Sequence, residues 1–489
     1  MKFQVRDPVE LEQRPRRAFR LSKSFETSAP RTRRVLDVHD AFGIGLDGRR
    51  RVIYRDLVVD VDPGDVVFVT GESGGGKSLI LRDLAEKLRD VEAFRPVVDL
   101  KEIEAKPREL VIEGVGRDTK EAIGLLSSVG LGEAFVFLRR FRELSDGQKF
   151  RYLLAKALDR RPRTLVADEF CSNLDRTTAK VIAYLVQRRA RAEGTTLVLA
   201  TAHDDLIEDL GPDVLVRKRF GSAAEVLYDL PRPGACSLMR GLEVSRGTLR
   251  DYEELAEFHY RGGRPAYVEA VFAARIGGEL AGVIVYTSVY PDLKARNAAL
   301  PFLRDLRRRL GREGYVRWLN EHFTRISRVV VHPKFRGIGL GAELVRRTMP
   351  LTGKAYVETL AVMARYNPFF ERAGMKRVEV DRDLPRGVKA ALELLEGLGA
   401  DDFVLRDRKL FVGWYSSLRP GERREVREAL RRAVAGFFPV RSLDAREVAG
   451  RLARALSPPE YLIWRNPEIG AGLPEPISPR PSSPRGRAS

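Results

Sequence analysis

From residue 35 to about 230, short apolar runs of β type alternate with stretches of helical period. The runs VVFVT (66–70), TLVAD (164–168) and TLVLATA (196–202) are apolar almost throughout. Strands buried on both faces read this way, so an α/β fold with a mostly parallel sheet is predicted for 35–230. The proline-broken piece PRPGACS (231–237) reads as a linker within 231–244. A second α/β module follows over 245–380. Its pattern predicts a helix at 248–260, strands YVEAVFAARI and ELAGVIVYT around Gly277-Gly278, a basic helical insertion over about 292–325, and a further strand and helix. Beyond it, 381–472 has helical periodicity in GVKAALELLEGL, ERREVREALRRAVAGFF and AREVAGRLARAL, a basic appendage, and 473–489 is a proline- and serine-rich tail expected to be disordered. Residues 1–34 carry ten lysines or arginines against four acids with no sustained apolar period, and predict a basic arm of strands or extended chain.

Composition adds bounds. The 489 residues, 44% of them hydrophobic, suffice for about three well-buried domains. No run of about 18 apolar residues occurs, and the opening MKFQVRDPVELEQRPRR has no apolar export core, so a cytoplasmic protein without a membrane span is expected. Two cysteines, Cys171 and Cys236, make no disulfide framework. The net charge of +19 points to a polyanion such as RNA or DNA as partner. Only nine asparagines and glutamines beside 32% charged residues offer the opposing reading, a thermophile surface of ion-pair networks. The insertion sharpens the first reading, because Arg304, Arg307, Arg308, Arg309, Arg312 and Arg317, with Tyr315 and Trp318, could grip a phosphate backbone.

The run VVFVTGESGGGKSLILRDL sets Gly71, Gly76, Lys77 and Ser78 in P-loop spacing between a strand and a helix. Phosphate oxygens need many unobstructed donors at short range, and Ser73, Gly74, Gly75 and Gly76 can expose backbone N–H groups at a helix N-terminus. Lys77 would neutralise the β and γ phosphates of ATP, and the Ser78 hydroxyl would enter the octahedral shell of Mg2+.

Downstream come ELSDGQKFRYLLAKAL (143–158), TLVADEFCSNLD (164–175) and LVLATAHDD (197–205). This order resembles the ABC superfamily. Leu144, Ser145, Gly147 and Gln148 match its signature, Asp168 its Walker B aspartate, Glu169 the following glutamate, Ser172 to Asp175 its D-loop and His203 its switch histidine. The resemblance implies that Glu169 polarises the attacking water, His203 senses the γ-phosphate and Asp168 holds magnesium. It also implies a homodimer in which the signature of one subunit closes the ATP site of the other. Adenine stacking would fall to Phe42, with Tyr54 as the competing aromatic. The sequence departs from the family at Asp146, where glycine is usual, at Phe170 and Cys171, and in having no glutamine between Ser78 and Gln148. These departures point away from a transporter subunit.

In the second module ISRVVVHPKFRGIGLGAELVRRTM (326–349) runs from a strand through a glycine-rich turn into a helix, a pyrophosphate-binding arrangement. With AYVETLAVMARYNPFFERAGMKRV (355–378) it resembles the GNAT acetyltransferases over about 245–380. There Arg336, Gly337, Ile338, Gly339, Leu340 and Gly341 would cradle acetyl-CoA, Asn367 matches the cofactor-side asparagine, and Val329, Val330 and Val331 would line the pantetheine arm. Phe370 stands where many of these enzymes have a tyrosine acid, so that role passes to Tyr366 or is vacant. Glu358, His332, Glu321 and His322 are candidate bases, the first two ranked highest.

The fusion as a whole resembles predicted archaeal proteins that join an ABC ATPase to an acetyltransferase domain. Three functions fit. The leading one is an ATP-regulated N-acetyltransferase acting on tRNA or rRNA. The others are a protein or small-amine acetyltransferase with a regulatory ATPase, and a nucleic-acid-remodelling ABC ATPase whose GNAT domain only binds.

Overall fold

The computed structural model describes residues 17–27, 29–46, 49–259, 263–379, 386–434 and 459–477. The chain divides into two units, 1–285 with 328–348, and 286–327 with 349–489. In the first unit β1 (Arg17–Thr27) pairs antiparallel with β2 (Arg49–Val61). A six-stranded sheet follows, built from β3 (Val66–Gly71), β4 (Val97–Asp99), β5 (Thr164–Ala167), β6 (Thr196–Ala200), β7 (Val214–Lys218) and β8 (Ala224–Tyr228). Its order is β4-β5-β6-β3-β7-β8, parallel except for the antiparallel edge strand β8.

The apolar runs become the central strands because both of their faces are covered. Alternate residues enter different cores. Val66, Phe68, Leu165, Ala167, Leu197 and Leu199 pack on one side, while Val67, Val69, Val166, Val198 and Ala200 pack on the other. The helix Lys77–Arg89 lays Ile80, Leu81, Leu84, Ala85 and Leu88 along one stripe against the second core. Of the basic arm, the strand β1 matches the extended reading, but Arg33–Phe42 is a helix, capped by Thr32 and by left-handed Gly43. Its short amphipathic stripe was too brief to register as a period.

The first unit also holds β9 (Leu242–Arg246), β10 (Val268–Ile276), most of β11 (Glu279–Thr287), the end of β12 (Phe323–Val331) and the helix Leu340–Thr348. β9 and β10 are antiparallel, and Gly277 and Gly278, at φ 59° and 84°, make the two-residue turn into β11.

In the second unit the start of β12 runs parallel to β13 (Tyr356–Ala361). Here β15 (Glu460–Arg465) lies between β13 and β14 (Lys376–Val378), antiparallel to both, so the sheet is mixed. The helical reading of 381–472 holds for the four helices between 386 and 434 and is corrected at Glu460–Arg465, which is a strand. The run YLIW is too short to show a period, and its partner strands lie roughly 80 to 110 residues upstream. Helices Arg386–Gly397, Asp402–Arg406, Arg408–Ser417 and Pro420–Val434 precede it and pack around Val388, Leu395, Phe411 and Leu430. AREVAGRLARAL and 478–489 lie outside the described residues, whereas 473–477, expected to belong to a disordered tail, is fixed: the Tyr356 hydroxyl donates to the Pro474 carbonyl at 2.6 Å and Ile477 N–H to the Ala299 carbonyl at 2.9 Å. Helices Lys294–Ala299 and Phe302–His322 occupy the basic insertion, the second broken at Gly311, whose φ of 66° and ψ of −178° interrupt the helical ladder.

The deepest polar group of this unit is an ion pair. Glu358 on β13 accepts from Arg296 Nε at 2.8 Å and Nη2 at 2.7 Å, and from the Tyr461 hydroxyl at 2.9 Å. Arg296 and Glu358 are both fully buried. The bidentate geometry satisfies a carboxylate that would otherwise be very costly in the interior. Glu358 therefore cannot serve as the general base, contrary to its ranking from sequence, because both of its oxygens are committed. Glu358→Gln leaves a guanidinium buried without its counter-charge and is expected to destabilise this unit by about 3–5 kcal/mol, whereas Tyr461→Phe should cost about 1–2 kcal/mol. Urea unfolding of the two variants measures both, and a loss below about 1 kcal/mol for Glu358→Gln would contradict the assignment.

Candidate functional site

The phosphate loop leaves the end of β3 at Gly71, where only glycine fits. A Cβ there would stand 1.9 Å from the Lys218 carbonyl oxygen on β7, and its φ is 131°. Gly74 and Gly76 also take positive φ, 73° and 100°, and Gly76 opens the helix Lys77–Arg89. Ser73 and Gly74 are exposed, Gly75 is buried. The Lys77 ammonium donates to the carbonyls of Gly71 at 2.9 Å and Glu72 at 2.8 Å. Burial holds it below its usual pKa, against the pull of Asp168 and Asp204.

Ser78 and Asp168 are brought together. The Ser78 hydroxyl donates to Asp168 Oδ1 at 3.0 Å, and Lys101 Nζ donates to Oδ2 at 2.7 Å. Burial works against this carboxylate, but Lys101 and Ser78 more than reverse the effect and hold its pKa below the ordinary value. A hydroxyl beside a carboxylate oxygen fits two positions of a magnesium shell, whose other ligands would be phosphate oxygens and water. Among the described residues no three or more His, Cys, Asp or Glu side chains cluster closely enough to hold a metal by themselves.

Glu169 is exposed, and its left-handed φ of 52° turns the chain sharply after the strand-end aspartate. His203 lies beyond β6, the neighbour of β3, and starts the turn Asp204–Leu206. Sequence reasoning missed Asp204, which accepts from the Thr70 hydroxyl, and Lys101. Asp204 directly follows His203 in LVLATAHDD and could have been read from that position, whereas Lys101 lies outside the quoted motifs and reaches the site only because β4 lies beside β5.

Ser145 and Gln148 cap the helix Asp146–Asp159 reciprocally: the Ser145 hydroxyl accepts from Gln148 N–H, and the Gln148 side chain from Ser145 N–H. A Cβ on Gly147 would come within 2.9 Å of Leu174, so this helix approaches the D-loop closely. Asp175 caps the helix Arg176–Glu193, accepting from Thr178 N–H at 3.0 Å. Among the described residues no hydrogen bond joins the signature to the phosphate loop. Of the two aromatics considered for adenine, Tyr54 is a core residue, buried with its hydroxyl 2.6 Å from Asp83 Oδ2, while Phe42 is 74% exposed.

The second phosphate loop, also in the first unit, follows β12. Val329, Val330 and Val331 end that strand, Gly337 and Gly339 take φ of 89° and 95°, and Ile338 is buried. Leu340 begins the following helix and Gly341 lies in its first turn. This turn into a helix N-terminus suits a pyrophosphate. The Arg336 guanidinium is spent on three carbonyls, those of Val331 at 3.0 Å, Gly132 at 3.0 Å and Phe258 at 3.3 Å. It braces the loop and does not reach outward. His332 also braces it. Its Nδ1 accepts from Lys334 N–H at 3.3 Å, its ring meets Phe258 edge-on at 5.0 Å, and burial lowers its pKa. In the neutral ring Nε2 then carries the proton, which removes His332 as a base.

In the second unit Tyr366 is 40% exposed and Asn367 is exposed, while Phe370 is buried against Phe369 at 4.1 Å. Glu321 is exposed at the end of the helix Phe302–His322. His322 stacks on Trp318 at 4.2 Å and its Nδ1 lies 2.9 Å from the Trp318 carbonyl. A carbonyl only accepts, so Nδ1 holds the proton and Nε2 is the basic nitrogen.

A parallel sheet that carries a phosphate loop after β3 and, just beyond β5, a carboxylate bonded to the loop's serine defines a P-loop nucleotide-binding protein. Residues 54–172 match the family described as ABC transporter, and residues 239–375 match the acetyltransferase (GNAT) family. The aliphatic sulfonates import ATP-binding protein SsuB 2 of Rhodococcus jostii is 33% identical over 202 residues, 38% of this chain and 81% of its own. The lipoprotein-releasing system ATP-binding protein LolD of Nitratidesulfovibrio vulgaris is 28% identical over 221 residues, 38% of this chain and 91% of its own. Among solved structures, CbiO1 from Clostridium perfringens aligns with a TM-score of 0.29 at 17% identity, over 36% of this chain and 82% of that one. The dimeric bacterial ABC transporter cassette MJ0796 aligns with a TM-score of 0.30 at 17% identity, over 36% and 91%. The chain belongs to the ABC family of ATP-binding proteins and carries a GNAT acetyltransferase domain behind its cassette. Among the described residues no helix is long and apolar enough to cross a membrane.

Glu169→Gln is expected to slow ATP hydrolysis at least about 100-fold while nucleotide affinity stays within a few-fold, as for loss of a group that acts only on the attacking water. Phosphate release and equilibrium binding of a fluorescent ATP analogue check the two halves, and unchanged hydrolysis would remove Glu169 from the mechanism.

Proposed function

We propose that the chain is an ATP-regulated N-acetyltransferase that transfers the acetyl group of acetyl-CoA to an amine of tRNA or rRNA, and that its cassettes pair as a homodimer around ATP and Mg2+. The observation that carries the regulation is the seat of the acetyltransferase phosphate loop on the cassette. Arg336 donates to the carbonyl of Gly132, and a Cβ on Gly337 would stand 2.9 Å from the Leu185 side chain. Leu185 belongs to the helix Arg176–Glu193, which Asp175 of the D-loop caps. Movement of the D-loop with nucleotide would pass along this helix into the loop.

Acetyl-CoA, when bound, supplies the activated acyl group. The loop from Arg336 to Gly341 would hold its pyrophosphate with backbone N–H groups. Within the second unit Glu321 and His322 remain as candidate bases and Tyr366 as the candidate acid, because Phe370 has no proton to give and Glu358 and His332 are otherwise engaged. The RNA reading rests on the net charge of +19 and on the helix Phe302–His322 with its six arginines, of which Arg307 and Arg308 pair with Asp292 and Asp305. A second reading is favoured by that same withdrawal of acid and base groups: a nucleic-acid-remodelling ATPase whose GNAT domain binds acetyl-CoA without turning it over.

Labelled acetyl-CoA offered with total RNA and total protein, with and without ATP, separates these readings. Label in RNA that changes at least about five-fold with ATP and loses that response in Lys77→Ala is expected. Label in protein alone would reject the RNA substrate, an ATP-independent rate would reject regulation, and acetyl-CoA binding without transfer would select the second reading. Arg312→Glu with Arg317→Glu should weaken tRNA binding and flatten its salt dependence by about two phosphate contacts, whereas a slope identical to the parent would take this helix out of the interface.

A further inference from the structure

The geometry points to Lys101 as a second phosphate-contacting lysine of the ATP site, a tethered cation that contacts the terminal phosphate and sustains ATP binding when Mg2+ is scarce. The inference rests on the reading of residues 71–78 as the ATP loop. Lys101 lies just beyond β4, which runs parallel to β5 with Asp99 opposite Val166, two residues before Asp168. The Asp99 carboxylate accepts from Lys101 N–H at 2.9 Å and starts the turn Leu100–Glu102. Leu100 and Ile103 on either side are buried in the core, so the backbone around Lys101 is anchored from both directions. What is left to move is the side chain.

That side chain meets Asp168 Oδ2 at 2.7 Å, the oxygen that Ser78 leaves open. The Asp168 side chain is 7% exposed and that of Lys101 is 56% exposed, so the ammonium stands at the mouth of the site with the carboxylate beneath it. Lys77, by contrast, is folded onto the loop carbonyls of Gly71 and Glu72 at the inner end. The two lysines therefore enter from different strands, Lys77 after β3 and Lys101 after β4. A half-exposed ion pair is weakly held, and a triphosphate offers the ammonium a denser negative charge than one carboxylate does. With Asp168 and Ser78 holding Mg2+, Lys101 would be released to turn to the terminal phosphate. Without Mg2+, Lys101 supplies the remaining counter-charge beside Lys77.

The test is equilibrium binding of fluorescent ATP and ADP analogues to the full-length chain, in Mg2+ and in EDTA, for the parent, Lys101→Met, Lys101→Arg and Lys77→Ala. Lys101→Met is expected to lose at least about ten-fold in ATP affinity in EDTA, less than about three-fold in Mg2+, and little for ADP in either, with Lys101→Arg close to the parent. Equal affinities for parent and Lys101→Met in EDTA would overturn the inference, as would an equal loss for ATP and ADP. If the parent bound neither nucleotide, or Lys77→Ala bound as the parent does, the reading of the loop itself would fall.

Discussion

A carboxylate at the end of a fully buried strand is costly unless a cation stands beside it, and the nucleotide end of this protein is organised around that cost. Asp168 follows four buried residues of β5, and its two oxygens are met by the Ser78 hydroxyl and the Lys101 ammonium. Ser78 is there because β3 ends in a loop only glycine can build, and Lys101 because β4 lies against β5 in parallel register. Parallel strands deliver their C-terminal ends to one edge of the sheet, so the hydroxyl, the carboxylate and both lysines converge without any of the loops being long.

The second unit solves the same problem in the opposite way. Glu358 is as deeply buried as any group in the chain, but Arg296 and Tyr461 close over it on three hydrogen bonds. Nothing about that carboxylate is left for a ligand. The contrast separates the two acids by what stands next to them: a partly exposed lysine that can exchange partners at Asp168, a buried bidentate arginine that cannot at Glu358. Burial alone does not distinguish the two carboxylates; the exposure of the counter-charge does, 56% for Lys101 against 0% for Arg296.

The legible parts of the chain are those whose chemistry is local. The phosphate loop from Gly71 to Ser78, the capping pair Ser145 and Gln148 and the strand-end pair Asp168 and Glu169 each lie within eight consecutive residues, and their spacing carries the geometry. Where partners are distant the sequence is silent. Arg296 and Glu358 are 62 residues apart and Lys101 and Asp168 67, and no period or motif connects them. The strand β15 was hidden for the same reason, since a four-residue apolar run acquires its strand character only from β13 and β14. Tyr54 and Phe42 were indistinguishable as aromatics until Asp83 claimed the Tyr54 hydroxyl.

Arg336 changes what a phosphate loop is for in this chain. A guanidinium beside a glycine-rich turn would ordinarily be assigned to the anion, yet all its hydrogen bonds go to carbonyls, one on its own strand end, one near the helix Leu249–Leu255 and one in the cassette. Burial holds its pKa below the usual arginine value with Glu133 of the cassette opposing, so the charge is kept in a place that gives it little solvation. Its planar fork can satisfy three fixed carbonyls at once, which a lysine's single ammonium on a flexible stem would do less rigidly. An anion-binding role would then fall to the glycine backbone, and the side chain fixes where that backbone sits relative to Gly132 and Leu185. In the regulation proposed above, a change in those contacts would change the loop's affinity for a pyrophosphate, and the arginine would then be a coupling element as well as a brace.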